Sequence, residues 1–120
     1  MATVGHLSGS TDGKAIKIAA TATPGTTVHT AIAATDQIDR VWIYAVNTST
    51  SPVKITLEWG EATAPDGNIE YTVPAESGAY LLTDGFPLQN GLVVKAFAGT
   101  TNVLTVHGYV VRSSAAEAFN

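Results

Sequence analysis

The sequence predicts an all-β fold: a single antiparallel β-sandwich or barrel, jelly-roll-like, of about eight strands with a flexible N-terminal arm. Three observations carry this expectation. Val53, Ile55, Leu57 and Trp59 alternate with Lys54, Thr56 and Glu58, the period-two pattern of a strand with one dry and one wet face. Every residue from Val41 to Val46 is apolar or aromatic, so this neighbouring strand is expected to be covered on both faces. Turn formers recur at intervals of roughly 8–15 residues, and no stretch shows the periodicity of an amphipathic helix. A hairpin with one fully buried arm needs a second layer over it, hence a sandwich or barrel.

Taken in order, residues 1–13 are rich in Gly, Ser and Thr and read as a flexible or extended arm. The β-domain is expected over 14–112. Lys14–Thr23 places Ile16 and Ile18 on one side and Lys17 and Thr21 on the other, a first strand; Pro24-Gly25 turns. Thr26–Ile32 alternates Val28, Thr30 and Ile32 with His29 and Ala31, and Ala33–Asp39 connects. Asn47–Pro52 is a run of turn residues between the two central strands. Pro65-Asp66-Gly67 turns within the loop 61–68, and Ile69, Tyr71 and Val73 mark a half-buried strand. Ala79–Thr83 reads as a short strand ended by a turn at Asp84-Gly85-Phe86-Pro87. Gln89-Asn90-Gly91 suits a hairpin or bulge. Leu92–Ala98 and Val103–Arg112 read as strands apolar on both faces. The tail 113–120 reads as a short helix or a disordered segment.

Composition narrows the function classes. The net charge is −4, and the six basic residues are scattered at Lys14, Lys17, Arg40, Lys54, Lys95 and Arg112. Binding to a phosphate backbone needs clustered cations, so no nucleic-acid partner is expected. No apolar run of roughly 18 residues predicts a membrane span, and the first residues do not have the form of a signal peptide. The chain has no cysteine, which removes disulfides and thiolate metal sites. Charged residues make up only 13%, about half the usual share. So sparsely charged a surface suits a chain that covers itself with copies or with a partner.

No constellation for catalysis, metal or cofactor stands out. His6 lies in the arm, while His29 and His107 fall within strands, where a packed or surface histidine is the ordinary outcome. No Gly-x-Ser-x-Gly elbow and no paired metal-ligand spacing is present. Glu58, Glu61 and Glu70 read as solvated charges. Asp66-Gly67-Asn68-Ile69-Glu70 alternates oxygen ligands but departs from a calcium loop. Trp42, Tyr44, Trp59, Tyr71, Tyr80 and Tyr109 are the candidates for a sugar-stacking platform. Trp42, Tyr44 and Trp59 are expected in the core, while Tyr71 and Tyr80 lie nearer loops.

The series IYAVNTSTSPVKITLEWG, IEYTVPAESG and GFPLQNGLVVKAFAGTTNVLTVHGYV resembles a group of small virion structural proteins of tailed bacteriophages. The resemblance covers about Thr27–Arg112. Its marks are the turn after the aromatic strand, Glu58-Trp59-Gly60, Val73-Pro74-Ala75, and the closing strands Leu92–Phe97 and Val106–Val110. It implies a non-enzymatic capsid decoration or cement protein on the virion surface, made in the host cytoplasm. The implied partners are the major capsid protein and further copies of the chain, most simply as a homotrimer. A carbohydrate-binding or host-adhesion module and a head–tail or tail protein are the alternatives. On the decoration reading the contacts are expected from the arm and from loops 36–40 and 61–68: His6, Lys14, Asp36, Asp39, Arg40, Glu61, Asp66 and Asn68. Deletion of residues 1–13 is then expected to spare folding and to weaken capsid binding.

Overall fold

Nine strands and one turn of helix build two antiparallel sheets in the computed structural model, which describes residues 2–118. The strands are β1 (Thr3–His6), β2 (Ile16–Lys17), β3 (Thr26–Thr30), β4 (Gln37–Asn47), β5 (Val53–Trp59), β6 (Asn68–Val73), β7 (Ala79–Leu88), β8 (Val93–Ala98) and β9 (Leu104–Ser114), followed by α1 (Ala115–Ala118). Sheet A runs β1-β9-β4-β7, and β2 shares the β9 edge with β1. Sheet B runs β3-β8-β5-β6. Leaving β1 aside, the orders 2-9-4-7 and 3-8-5-6 are those of a jelly roll, an eight-stranded sandwich of two Greek keys. It is a sandwich and not a closed barrel.

The core lies between the sheets. From sheet A come Val41, Ile43, Ala45, Leu104, Val106 and Val110, and from sheet B Val28, Ile55, Leu57, Val73, Val94, Ala96 and Ala98. Period-two alternation puts them there, because consecutive strand residues point to opposite faces. The strands expected to be greasy on both faces obey the same rule. On β4, residues 41, 43 and 45 are buried while Trp42, Tyr44 and Val46 are half-buried, and β8 and β9 alternate likewise. Their outward residues are mostly apolar or aromatic, with Lys95, Thr105 and His107 among them, and no third layer of strands or helices covers them among the described residues.

The turn between β4 and β5 is organised by Asn47, a buried side chain with every polar atom used. Its Nδ2 donates to the Ser51 and Val73 carbonyls, and its Oδ1 accepts from the Ser49 amide and hydroxyl. This is the local backbone mimicry that favours Asn in turns.

Four boundaries differ from the sequence reading. The first expected strand shrinks to Ile16–Lys17, which pair with Val106 and Thr105. β4 begins at Gln37, inside the expected connection. β9 runs to Ser114, past the expected domain end, and Ala115–Ala118 form the helical turn; residues 119 and 120 of the tail lie outside the described residues. The turn expected at Asp84–Pro87 is instead part of one ten-residue strand. Val41 pairs with Phe86 and Trp42 with Asp84, so Gly85 is the extra residue of a bulge. Its φ of 77° suits glycine, and a Cβ there would lie 2.9 Å from the Trp42 ring.

The largest correction concerns residues 1–13. They do not form a free arm. Thr3–His6 pair with Arg112–Tyr109 of β9, and Leu7 is 1% exposed within the core. Gly108 lies beside it: a Cβ at 108 would collide first with the Trp42 carbonyl and would also stand 3.1 Å from Leu7 Cδ1. The Gly9 amide then bonds the Val28 carbonyl at 2.9 Å, so the segment crosses from sheet A to sheet B. One leucine in a polar stretch is a faint sequence signal, yet it anchors the segment. Deletion of 1–13 is therefore expected to destabilise the fold, since losing a buried leucine alone costs about 2–5 kcal/mol.

Candidate functional site

Three polar or aromatic assemblies stand out: a buried charge cluster between the sheets, the outer face of sheet A, and one end of the sandwich.

The buried cluster joins His29 of β3, Asp39 of β4 and Arg112 of β9. Asp39 is fully buried. Arg112 Nε and a terminal guanidinium nitrogen donate to its two carboxylate oxygens at 2.6 and 2.9 Å. The Ile32 amide donates at 3.2 Å, and His29 Nε2 lies 2.8 Å from Oδ2. On the other side of the imidazole the Ser8 amide donates to Nδ1 at 3.0 Å. That fixes the neutral tautomer, with Nε2 carrying the proton towards Asp39. Burial pushes the Asp39 carboxyl up, but the bonds from Arg112 and His29, the Arg112 charge and the Ile32 amide outweigh it and hold the carboxyl below its ordinary value. Ser8, His29 and Asp39 look like the members of a hydrolytic triad, but their geometry differs. The lone pair of Nδ1 is already taken by a main-chain N–H, and the Ser8 hydroxyl accepts from the Thr30 amide at 2.7 Å. A base needs that lone pair for a nucleophile's proton. The cluster is a tie between the sheets and a clamp on the N-terminal segment.

The outer face of sheet A follows from register, because directly paired residues share a face. One row runs His6, Tyr109, Trp42, Asp84 across β1, β9, β4 and β7. The next rows carry Val4, Val111, Arg40 and Pro87 on one side, and His107, Tyr44 and Leu81 on the other. Trp42 and Tyr109 stack at 4.9 Å with planes 7° apart. The Arg40 guanidinium sits 5.5 Å from the Trp42 ring centroid, and the Trp42 indole donates to Asp84 at 2.7 Å. Val4 is 71% exposed and Tyr109 and Leu81 both 37%. Trp42 and Tyr44 thus stand outward, contrary to the core positions expected for them. The error came from reading an apolar run as two-sided burial.

The end of the sandwich formed by loops 31–36, 60–67 and 89–92 gathers Asp36, Glu61 and Asp66 of the expected contacts. The loops are knit by the Asn90 and Gly91 amides bonding the Ala34 and Ile32 carbonyls, and by the Gly60 amide on the Val93 carbonyl. Beside them lies a hollow of about 450 Å³ lined by Ile38, Trp59, Pro87, Leu88, Leu92 and Glu61, among others. The remaining expected contacts scatter. His6 is on the sheet A face. Lys14 sits in the turn after β1, its amide on the Thr11 carbonyl. Arg40 is half-buried over Trp42, and Asn68 opens β6. Asp39 is a correction: buried and fully engaged, it offers nothing to a partner.

Sequence reasoning also missed Glu58, expected in solvent but 2% exposed. Its carboxylate accepts from the Thr23 hydroxyl and from the Gly25 amide at 2.7 Å, which holds residues 23–25 across β8. No local pattern announces this, since Glu58 falls on the wet parity of β5. The aromatic platform is likewise redrawn. Tyr71 and Tyr80 stack on each other at 4.0 Å, and Trp59 meets Phe86 edge-on at 5.7 Å. Trp42 with Tyr109 and Tyr71 with Tyr80 turn ring faces to one another, so these rings do not stand as an open row. Among the described residues no three His, Asp or Glu side chains converge as a metal site, and no helix is long and apolar enough to cross a membrane.

No protein-family model, curated protein or solved structure matches the chain.

Proposed function

We propose that the protein is a non-enzymatic structural protein of a virion, a decoration or cement protein that docks on the outer surface of a capsid shell and stabilises it. The observation that supports this best is the outer face of sheet A, where exposed Val4, Leu81 and Tyr109 surround Trp42 on a chain with only 13% charged residues. A sandwich with one such face is suited to work by covering that face, against a neighbouring copy or a shell. The virion setting rests on the resemblance of residues 27–112 to phage structural proteins. Each copy can bind weakly, because many copies on one lattice act together. A closed cyclic oligomer, most simply a trimer, fits that use. The mutual pairing of the aromatic rings weighs against the sugar-platform alternative, which needs open ring faces.

The test is co-sedimentation of the purified chain with undecorated phage heads, alongside its mass by light scattering. Pelleting of the wild type, lost in the double variant Tyr109→Lys, Leu81→Lys, is the expected result. A folded wild-type chain that stays in the supernatant at saturating heads would overturn the reading.

A further inference from the structure

The end of the sandwich carries a second, differently built surface. Leu92, 46% exposed, stands between two hollows. The larger is walled by Ile38, Trp59, Pro87 and Leu88; the smaller, of about 230 Å³, lies towards Val93 and Lys95. Both share Gly60, Glu61 and Leu92. The larger falls within the size range of sites that take small ligands or anchoring side chains. Its shape is preset. The Trp59 indole donates to the Pro87 carbonyl at 3.3 Å and its ring is wedged by Phe86, so the apolar wall needs no rearrangement to receive a guest.

Charge says what the guest is. Glu61 is the one charged side chain lining the larger hollow. It makes no hydrogen bond or ion pair among the described residues, in contrast to Asp39 and Glu58. The three loops at this end bring Asp36, Glu61 and Asp66 and contain no lysine or arginine. Lys95 lines only the smaller hollow, opposite Glu58 and Glu61; an apolar cup whose own lip carries an unpaired carboxylate selects an apolar group carried next to a cation.

We infer that this hollow is a binding site for a partner segment that presents a bulky aliphatic or aromatic side chain beside a lysine or arginine. The apolar side chain seats against Trp59 and Leu92, and the cation meets Glu61. Affinity comes from the buried side chain. Preference for the cation comes from the lip, where an exposed pair adds only a few-fold. The site adjoins the sheet A face at Pro87, but its seat on Trp59 and Leu92 does not involve Trp42 or Tyr109, so it stands or falls independently of the capsid reading.

The test is an NMR titration of the full chain with N-acetyl-leucyl-arginine amide and, in parallel, N-acetyl-leucyl-glutamate amide. The arginine peptide is expected to shift the Trp59 indole and the Gly60 and Leu92 amides saturably, with a dissociation constant on the order of 1 mM. The glutamate peptide is expected to bind about two- to fivefold more weakly. Glu61→Lys should reverse that order, and Leu92→Ser should weaken both. Absence of shifts at Trp59, equal binding of the two peptides by the wild type, or shifts confined to Trp42 and Tyr109 would each overturn the inference.

Discussion

On sheet B the outer face is polar or covered: Lys54 pairs with Glu70 at 3.2 Å, while Thr56 and Glu58 are buried and Glu58 draws the chain's own residues 23–25 over β8. On sheet A the matching positions hold Trp42, Tyr44, Val46, Tyr109 and Val111 among His6, Arg40, Asp84 and His107, and only the Arg40 side chain is laid over Trp42. Both faces come from strands with the same alternation, and both inner faces are equally dry. What separates them is whether the chain supplies its own cover. A period-two pattern tells which residues lie opposite one another; it does not tell which of two faces is left to be completed by another molecule.

Four substitutions probe that difference, in falling order of effect. Asp39→Ala removes the tie on which both faces depend, stranding Arg112 and the His29 N–H. A loss of about 3–5 kcal/mol is expected in urea unfolding, and retention of wild-type stability would mean that the sheets are held by the core alone. The same carboxylate gives a pH signature. Its folded pKa is lowered, so its contribution is complete above the unfolded value of about 3.9 and is lost as pH falls through the folded value. The difference in melting temperature between wild type and Asp39→Asn should therefore narrow only below about pH 4.

Glu58→Ala strips sheet B of its cover by releasing the Thr23 hydroxyl and the Gly25 amide. About 2–3 kcal/mol is expected, together with faster hydrogen exchange at Gly25. Trp42→Ala takes the central ring from the open face. It should cost about 1–2 kcal/mol, for a stacked pair and half a ring's burial, and it should abolish pelleting with heads. An effect as large as that of Asp39→Ala would show that the sheet A face acts as core. Lys54→Ala, on the dressed face, should change stability by about 0.5 kcal/mol or less and leave association untouched.

Much of the sandwich was legible because burial in a β-domain is written in parity: Val53, Ile55 and Leu57 point inward as their spacing requires, and Asn47 and its serines form the turn. Three things were not legible, each for a physical reason. Gly85 and Pro87 have the composition of a turn, yet a bulge at Gly85, the first of two register shifts, lets β7 run through them along β4. Leu7 is one apolar residue in a polar stretch, and its weight appears only when the fold sets it beside Gly108, a hundred residues on. His29, Asp39 and Arg112 belong to three strands from two sheets, so no spacing connects them. Leu92 was read as part of a strand rather than as the ridge between two hollows.

The pairing of Thr3–His6 with β9 has a consequence for how the molecule is made. β9 joins β1, β2 and β4 and is the last of the nine strands to leave the ribosome. Until it emerges, sheet A has no strand to unite its edge with its centre, and the aromatic row of β4 lacks Tyr109. Vectorial synthesis thus exposes an apolar strand before its distant partner emerges, the situation in which non-local β-topologies fold slowly and associate prematurely. Truncation ahead of Leu104 should give a chain that aggregates rather than a smaller folded domain.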